Sequence, residues 1–129
     1  MARRRALVTG AAKRVGRAVA LELAASGFDV AVHYNTSARA AEQVVRDCEQ
    51  AGAQAFAVSA DLASAAACAG LCGEVRRRWT DLDLLVNNAS LYEPKPFQDI
   101  GTADWDRMLA VNLRAPFLLA RDLLPLLRG

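Results

Sequence analysis

"LVTGAAKRVGRAVA", residues 7–20, begins as an apolar strand, passes through a turn that holds Gly10 and Gly16, and ends in a helical pattern. This combination predicts a phosphate site, because unpaired backbone N–H groups and the positive end of the helix dipole point at the turn. The glycines would let the backbone approach a pyrophosphate. The strict G-x-G-x-x-G spacing is absent, so the turn alone is also compatible with a connection that holds no ligand.

Outward from this turn, short apolar runs alternate with longer helical patterns, which is typical of a parallel sheet covered by helices on both faces. Val15, Val19 and Leu23 recur at every fourth position and predict the buried face of the first helix, with Gly27 as its left-handed cap. Thr102 is the expected N-cap of the last helical region. The predicted strands are 6–9, 30–34, 55–59 and 82–87, and further helices are predicted over 37–50, closed by Gly52, and over 64–79.

Composition limits the possible functions. The chain has 129 residues, is 53% hydrophobic and carries a formal charge of +2, so we expect one domain over residues 1–129 and no nucleic-acid partner. No apolar run reaches membrane-spanning length, and "ALVTGAA" is too short for a signal peptide, so we expect a cytoplasmic protein without a membrane partner. Three cysteines fit a reduced compartment. Cys68 and Cys72 lie one helical turn apart, but nothing nearby completes a metal site, so we interpret them as helix-packing residues and predict no metal.

The segment "WDRMLAVNLRAPFLLARDLLPLL" carries an arginine at every seventh position, with apolar residues around most of its remaining surface. So broad an apolar surface should be buried on more than one side. The pattern is compatible with a core helix whose arginines are solvated and, equally, with a subunit interface. The interface interpretation predicts a homo-oligomer formed through the C-terminal helix. The arginines are Arg107, Arg114, Arg121 and Arg128.

Four segments, "TGAAKRVG", "VSADL", "VNNAS" and "VNL", stand in the order and at the spacing of the short-chain dehydrogenase/reductase family, and the chain resembles that family over essentially its whole length. The family's glycine motif is T-G-x-x-x-G-x-G, and here Arg14 takes the place of the middle glycine. With "HYNTS" and "NNAS", this substitution resembles the pteridine reductase branch. The resemblance implies the N-terminal part of a Rossmann-type doubly wound sheet, truncated before a fifth strand. It also implies hydride transfer from NADPH to a small-molecule substrate, a pterin C=N or a carbonyl; another family reductase, such as a 3-oxoacyl carrier-protein reductase, is the alternative.

The end of the second strand bears on the choice of cofactor. An NAD site has a carboxylate about 20 residues beyond the glycines. No acid occurs at this point, and hydroxyl and amide donors together with Arg14 and Arg39 would suit the 2′-phosphate of NADP(H). The same polar residues are compatible with capping the next helix. The residues predicted here to bind the cofactor are His33, Tyr34, Asn35, Thr36 and Ser37.

The resemblance assigns further roles. Asp61 and Leu62 would hold the adenine, although Asp61 also fits a plain turn. Tyr92 would stack on a pterin ring, although it also fits loop packing, and Arg14 would reach both cofactor phosphate and substrate. The remaining implied cofactor contacts are Thr9, Gly10, Val15 and Gly16 in the turn and Asn88, Ala89 and Ser90 after the fourth strand, with Ser90 also beside the substrate.

Asn112 matches the asparagine of the family's catalytic tetrad, which supports a water in the proton relay. Pro116 lies four residues later and has no N–H, so the Asn112 carbonyl loses its helical donor and the helix should kink. A freed carbonyl there can bind a water. The alternative is a helix break at Pro116 that frees the same carbonyl without a catalytic role.

The family's proton donor, a tyrosine followed four residues later by lysine, has no counterpart. Tyr34 and Tyr92 are the only tyrosines, and Ala38 and Pro96 follow them at that spacing. Gly129 ends the sequence at roughly half the length usual for the family. We therefore expect this chain alone to be inactive. A non-catalytic nucleotide-binding or partner-binding fragment is the remaining alternative.

Overall fold

In the computed structural model, which describes residues 2–127, four parallel strands form one sheet in the order β3-β2-β1-β4. The doubly wound α/β fold predicted from the alternating pattern is confirmed. The elements are β1 Arg4–Val8, α1 Arg14–Ala25, β2 Phe28–Tyr34, α2 Ala38–Gln50, β3 Ala55–Ser59, α3 Ala65–Arg78, β4 Leu84–Val86, a 3-10 turn Phe97–Asp99, α4 Thr102–Leu109, a π-helical turn Ala110–Arg114 and α5 Ala115–Leu127.

The sheet has a separate apolar core on each face. Val8 and Val30 point to the side covered by α1 and α2, whereas Leu7 and Ala31 point to the side covered by α3 and α5. Because side chains alternate along a strand, a strand covered on both faces must be apolar at successive positions. This requirement explains the apolar runs 6–8 in β1 and 30–32 in β2. No helix in the described part of the chain is long and apolar enough to cross a membrane.

The buried face of α1 differs from the predicted one. Gly16, Ala20 and Ala24 are buried, whereas Val15 is 67% exposed. The prediction from the spacing of Val15, Val19 and Leu23 was therefore wrong by one position. Small residues face the sheet because they let the helix axis approach the strands closely, while Val19 packs at the margin of that core.

Helix ends follow the predicted signals with one exception. Gly27 adopts a φ of +100°, as a left-handed cap requires, and the Ser64 hydroxyl accepts a hydrogen bond from the Ala67 N–H at the start of α3. Thr102 is not the N-cap of α4, because Gly101 takes that position. The Asp104 carboxylate accepts the Gly101 N–H at 2.9 Å and so satisfies a helix-end donor in place of the threonine hydroxyl.

The helix around Pro116 widens instead of breaking. Between α4 and α5 the backbone forms a π-helical turn in which the Ala115 N–H bonds the Ala110 carbonyl. Pro116 has no N–H for the Asn112 carbonyl, so regular α-helical pairing cannot continue through this point. The expected irregularity is present, and it is a π-bulge inside a continuous helical segment.

Arg107, Arg114 and Arg121 are exposed along the helical segment, as the interpretation of solvated arginines requires, and each also makes a local contact. The Arg107 guanidinium pairs with Asp61, and Arg114 Nη2 donates to the Ala63 carbonyl at 2.6 Å. Both side chains therefore reach the loop between β3 and α3, since the helical segment packs beside that loop. Arg121 pairs with its neighbour Asp122. Arg128 and Gly129 lie outside the described residues.

Candidate cofactor site

The loops after β1, β2, β3 and β4 meet at the carboxyl edge of the sheet, where parallel α/β folds bind their ligands. The glycine turn between β1 and α1 lies at the centre of this edge. Its helix, α1, begins at Arg14 and directs its N-terminal backbone N–H groups toward the same edge.

Close packing fixes the glycine turn. A Cβ on Gly16 would lie 2.0 Å from the Gly10 carbonyl oxygen and 2.5 Å from the Asn88 side-chain nitrogen. Gly10 has a φ of +61°, and a Cβ on it would meet the Ala89 backbone at 3.0 Å. Side chains at these positions are excluded, which leaves the backbone of the turn bare for a ligand that needs a close approach.

Arg14 is strained. Its φ is +53°, and it is the one non-glycine residue with positive φ in the described part of the chain. A non-glycine residue in this region costs about 1 kcal/mol, which explains why glycine is the motif's usual residue here. The Arg14 side chain is exposed. Strain of this kind is typical of positions kept for a functional side chain.

Thr9 and Asn88 tie the glycine turn to the end of β4. The Thr9 hydroxyl oxygen accepts the N–H groups of Asn88 and Ala89, both at 3.0 Å. The Asn88 side-chain amide donates to the carbonyls of Thr9 and Gly10 at 3.1 and 3.2 Å. The contact of Asn88 with a ribose and that of Thr9 with the cofactor stay predictions, since the geometry gives both side chains a positioning role.

His33 supports the turn from beneath. Its buried ring accepts the Gly10 N–H at Nδ1 and donates from Nε2 to the Ala60 carbonyl, each at 2.9 Å. These partners require the neutral ring with its proton on Nε2. Burial lowers the pKa of His33 below its ordinary value of 6.5. Both ring nitrogens are already bonded to backbone, so this side chain has no free donor for a 2′-phosphate, and sequence reasoning missed its supporting role.

An open cleft of about 420 Å³ lies between the glycine turn and the start of α2. Its walls carry two cations, Lys13 and Arg39, and two hydroxyls, Thr36 and Ser37, without any carboxylate. Ser37 is the N-cap of α2 but makes no side-chain capping bond, so capping does not occupy its hydroxyl. Sequence reasoning missed Lys13, although a second cation beside Arg14 in the turn was a visible signal. Arg14 itself does not line this cleft.

A smaller cavity of about 100 Å³ lies at the ends of β2, β3 and β4. The structure brings together here several residues that the sequence predicted for the adenine end and the ribose, and it adds Arg107 from α4. Asp61 also accepts the Ala63 N–H at 3.0 Å, so it is a turn residue and a cavity residue at once. The lining residues are His33, Asn35, Ala60, Asp61, Leu62, Ala89, Ser90, Leu91, Arg107 and Val111.

The structure places Tyr34 and Val15 at the edge of this region. Tyr34 ends β2 half-buried and packs against the core under α1 and α2, and Val15 is exposed in the first turn of α1. Neither lines the cleft or the cavity. Their cofactor contacts stay predictions.

Asn112 uses its side chain to hold the loop after β4. Its Oδ1 accepts the Leu91 N–H at 2.7 Å, and its Nδ2 donates to the Leu91 carbonyl at 2.8 Å. The side-chain amide is therefore occupied by Leu91, and a relay water at the Asn112 backbone carbonyl stays a prediction. Tyr92 follows directly and is 78% exposed.

Lys95 in this loop forms an ion pair with Asp104 at 2.8 Å. The hydrogen bond from Lys95 lowers the pKa of Asp104, and the same bond raises the pKa of Lys95. The Lys95 ammonium is therefore engaged by Asp104.

The cysteines are buried and free. Burial raises the pKa of Cys48 and Cys72 to about 11 and that of Cys68 above its ordinary value. The interpretation of Cys68 and Cys72 as packing residues is confirmed, because both lie in the core beneath α3. Within residues 2–127, no cluster of three or more histidine, cysteine or acidic side chains could hold a metal ion.

A glycine turn at the carboxyl edge of a doubly wound sheet is the arrangement that dinucleotide-binding proteins share, and comparison with known proteins identifies the family. The model of the short chain dehydrogenase family matches residues 4–129, and the chain belongs to that family.

Among curated relatives, the chain is 36% identical over 116 residues to the hydroxynaphthalene reductase-like protein Arp2 of Metarhizium robertsii, covering 90% of this chain and 43% of that protein. It is 38% identical over 112 residues to the 3-oxoacyl-acyl-carrier-protein reductase FabG of Staphylococcus aureus, covering 87% and 46%. The chain thus spans about half the length of these relatives.

Solved structures agree on the fold. A short chain dehydrogenase of Burkholderia cenocepacia in complex with NADP superposes with a TM-score of 0.92 at 38% identity, over 96% of this chain and 51% of that one. A metagenomic short-chain oxidoreductase, also in complex with NADP, gives 0.87 at 33% identity, over 95% and 55%.

Proposed function

We propose that this chain is the NADP(H)-binding part of a short-chain reductase. The observation that carries the proposal is the cleft beside the glycine turn, which offers two cations and two hydroxyls and no carboxylate. A dianionic 2′-phosphate gains charge-assisted hydrogen bonds there, whereas a ribose diol would lack its usual acceptor. The structural neighbours solved with NADP support the same choice.

The residues fit such a cofactor. The bare backbone at Gly10 and Gly16 accommodates a pyrophosphate against the N-terminus of α1, where the helix dipole stabilises negative charge. Lys13 and Arg39 would bind the 2′-phosphate, and Asp61 would accept from the adenine amino group. When bound, the dinucleotide supplies a hydride at its nicotinamide ring.

For the substrate, we propose a small molecule with a C=N or C=O group. The strained Arg14 favours the pteridine reductase interpretation, in which Arg14, Ser90 and Tyr92 would orient a pterin. A carbonyl substrate is the second candidate, and similarity to the two relatives named above, both called reductases, favours it. The Asn112 backbone carbonyl would hold a relay water in either case.

We further propose that the 129-residue chain does not catalyse turnover alone. Neither tyrosine is followed four residues later by lysine, and a missing general acid removes about 10²–10⁴-fold in rate. A role as a nucleotide-binding or partner-binding fragment would need no such residue. Turnover of pterins or keto compounds by the purified chain would contradict this part of the proposal.

Self-association through the C-terminal helical segment is also proposed. Leu109, Leu113 and Phe117 are exposed along one side of α4, the π-turn and α5. An apolar row of this kind on a helical segment is typical of an interface. A second copy of the chain would cover it in a homo-oligomer.

The cofactor assignment is tested by calorimetry with NADPH and NADH. We expect the chain to prefer NADPH by about 1–3 kcal/mol, the range for charge-assisted hydrogen bonds. Arg39→Ala should reduce that preference, whereas Arg46→Ala, on the same helix but outside the cleft, should leave it unchanged. Equal or tighter binding of NADH by the unmodified chain would refute the assignment.

A further inference from the structure

Two opposite charges meet at the small cavity at the ends of β2, β3 and β4. Arg107 comes from α4 and Asp61 from the loop after β3, and both line the cavity. Arg107 Nη1 lies 3.6 Å from Asp61 Oδ2, an ion-pair distance that is too long for a good hydrogen bond. The pair therefore orients the carboxylate and leaves Oδ2 able to accept a further donor.

The other partners of Asp61 point to the same oxygen. Oδ1 already accepts the Ala63 N–H at 3.0 Å, which fixes the plane of the carboxylate. His33, in the cavity wall, has both ring nitrogens bonded to backbone. Leu62 and Val111 contribute apolar walls. An apolar slot with one oriented carboxylate oxygen suits a flat heterocycle that carries an amino group.

We propose that Arg107 is a positioning residue that makes this cavity selective for a 6-aminopurine over a 6-oxopurine. The inference rests on the proposed binding of a dinucleotide. Arg107 holds the Asp61 carboxylate oriented, so that Oδ2 accepts an N–H from the 6-amino group. A 6-oxo group would instead bring a second acceptor against that oxygen, and the resulting repulsion disfavours it.

Arg114 provides a matched control. It lies seven residues after Arg107 and anchors the same loop through the Ala63 carbonyl at 2.6 Å, but it does not line the cavity. Removing Arg114 loosens the loop without removing the charge beside Asp61. Loss of Arg107 should therefore weaken binding of the 6-aminopurine more than binding of the 6-oxopurine. Loss of Arg114 should weaken binding of both to the same extent.

The experiment measures dissociation constants of the full chain for NADPH and for its hypoxanthine analogue by calorimetry. We expect Arg107→Met to weaken NADPH binding about fivefold, the upper range for a partly exposed ion pair, and to change binding of the analogue less than twofold. Arg107→Lys should restore most of the loss. Arg114→Met should affect both ligands equally. Asp61→Asn, which gives the cavity an amide donor, should shift the preference toward the analogue.

The outcomes separate the two proposals. Equal weakening of the binding of both ligands by Arg107→Met, or no weakening, would overturn the selectivity role of Arg107. The proposal that the chain binds NADPH would still stand. Failure of the unmodified chain to bind either ligand would refute the dinucleotide proposal and this inference with it. Thermal unfolding of each variant identifies loss of fold, and Arg107→Gln replaces Arg107→Met where the latter does not fold.

Discussion

The two sides of the candidate site are built differently. The glycine turn is held by Thr9 after β1, by Asn88 after β4 and by His33 from β2, and a Cβ on either of its glycines would meet backbone. The loop after β4 is largely exposed, and outside its 3-10 turn its contacts are chiefly side chains, Asn112 to Leu91 and Lys95 to Asp104. The comparison indicates that the glycine turn is more tightly constrained than the loop after β4.

The largest effect is expected from Gly16→Ala. The new methyl would lie 2.0 Å from the Gly10 carbonyl oxygen, so the turn or α1 must move, at a cost of about 3 kcal/mol in the free energy of unfolding and most of the cofactor affinity. Gly70→Ala is the control, because no atom lies within 4 Å of its Cβ position and alanine favours a helix by up to about 1 kcal/mol. Denaturant unfolding measures both, and similar results for the two variants would show that the turn is not tightly packed.

A smaller effect is expected from Arg14→Gly, with opposite signs for stability and binding. Glycine adopts the φ of +53° without strain, so the free energy of unfolding should rise by up to about 1 kcal/mol. If Arg14 contacts the cofactor phosphate as proposed, NADPH affinity should fall at the same time. Higher stability with unchanged affinity would show that the strain serves no cofactor contact. Chemical denaturation and calorimetry on one preparation provide both values.

The support of the turn by His33 should depend on pH. Burial lowers the folded-state pKa below the ordinary value of 6.5, so the unfolded chain binds the proton more readily. The contribution of His33 to stability is complete above pH 6.5 and is lost as the pH falls from there toward the folded-state pKa. Protonation of Nδ1 would break its bond with the Gly10 N–H.

His33 is the single histidine of the chain, so a stability change between pH 6.5 and 5 can be assigned to it. Denaturation midpoints at several pH values measure the effect. His33→Gln, which keeps an acceptor and does not titrate, should flatten the profile. A profile that keeps its slope in this variant would place the titrating group elsewhere.

The smallest effect on stability is expected at the exposed apolar row. Leu113 is 67% exposed, so Leu113→Ser should change the free energy of unfolding by less than about 0.5 kcal/mol and should reduce self-association in sedimentation. Leu119→Ser, on the same helical segment but fully buried, should cost several kcal/mol. Unchanged association of Leu113→Ser would argue against an interface at this row.

Local signals in the sequence were sufficient for much of the fold. The apolar runs placed β3 at its observed bounds and the other strands within a few residues, because strands covered by helices are apolar at most successive positions. Gly27 and Gly52 marked the ends of α1 and α2, since their positive φ values suit glycine. The prediction of Thr102 as the N-cap was wrong, because Gly101 holds that position and the Asp104 carboxylate accepts its N–H.

The sequence by itself determined the parallel sheet, the glycine turn at its edge and the absence of a carboxylate after β2, because each depends on residues close together in the chain. Only the tertiary structure decided that His33 holds Gly10, that Asn112 holds Leu91 and that Arg107 meets Asp61. These pairs are 21 to 46 residues apart, and periodicity along one element carries no information about which side chains meet across elements. Their contacts arise when the strands align and bring the ends of separate loops to one edge of the sheet.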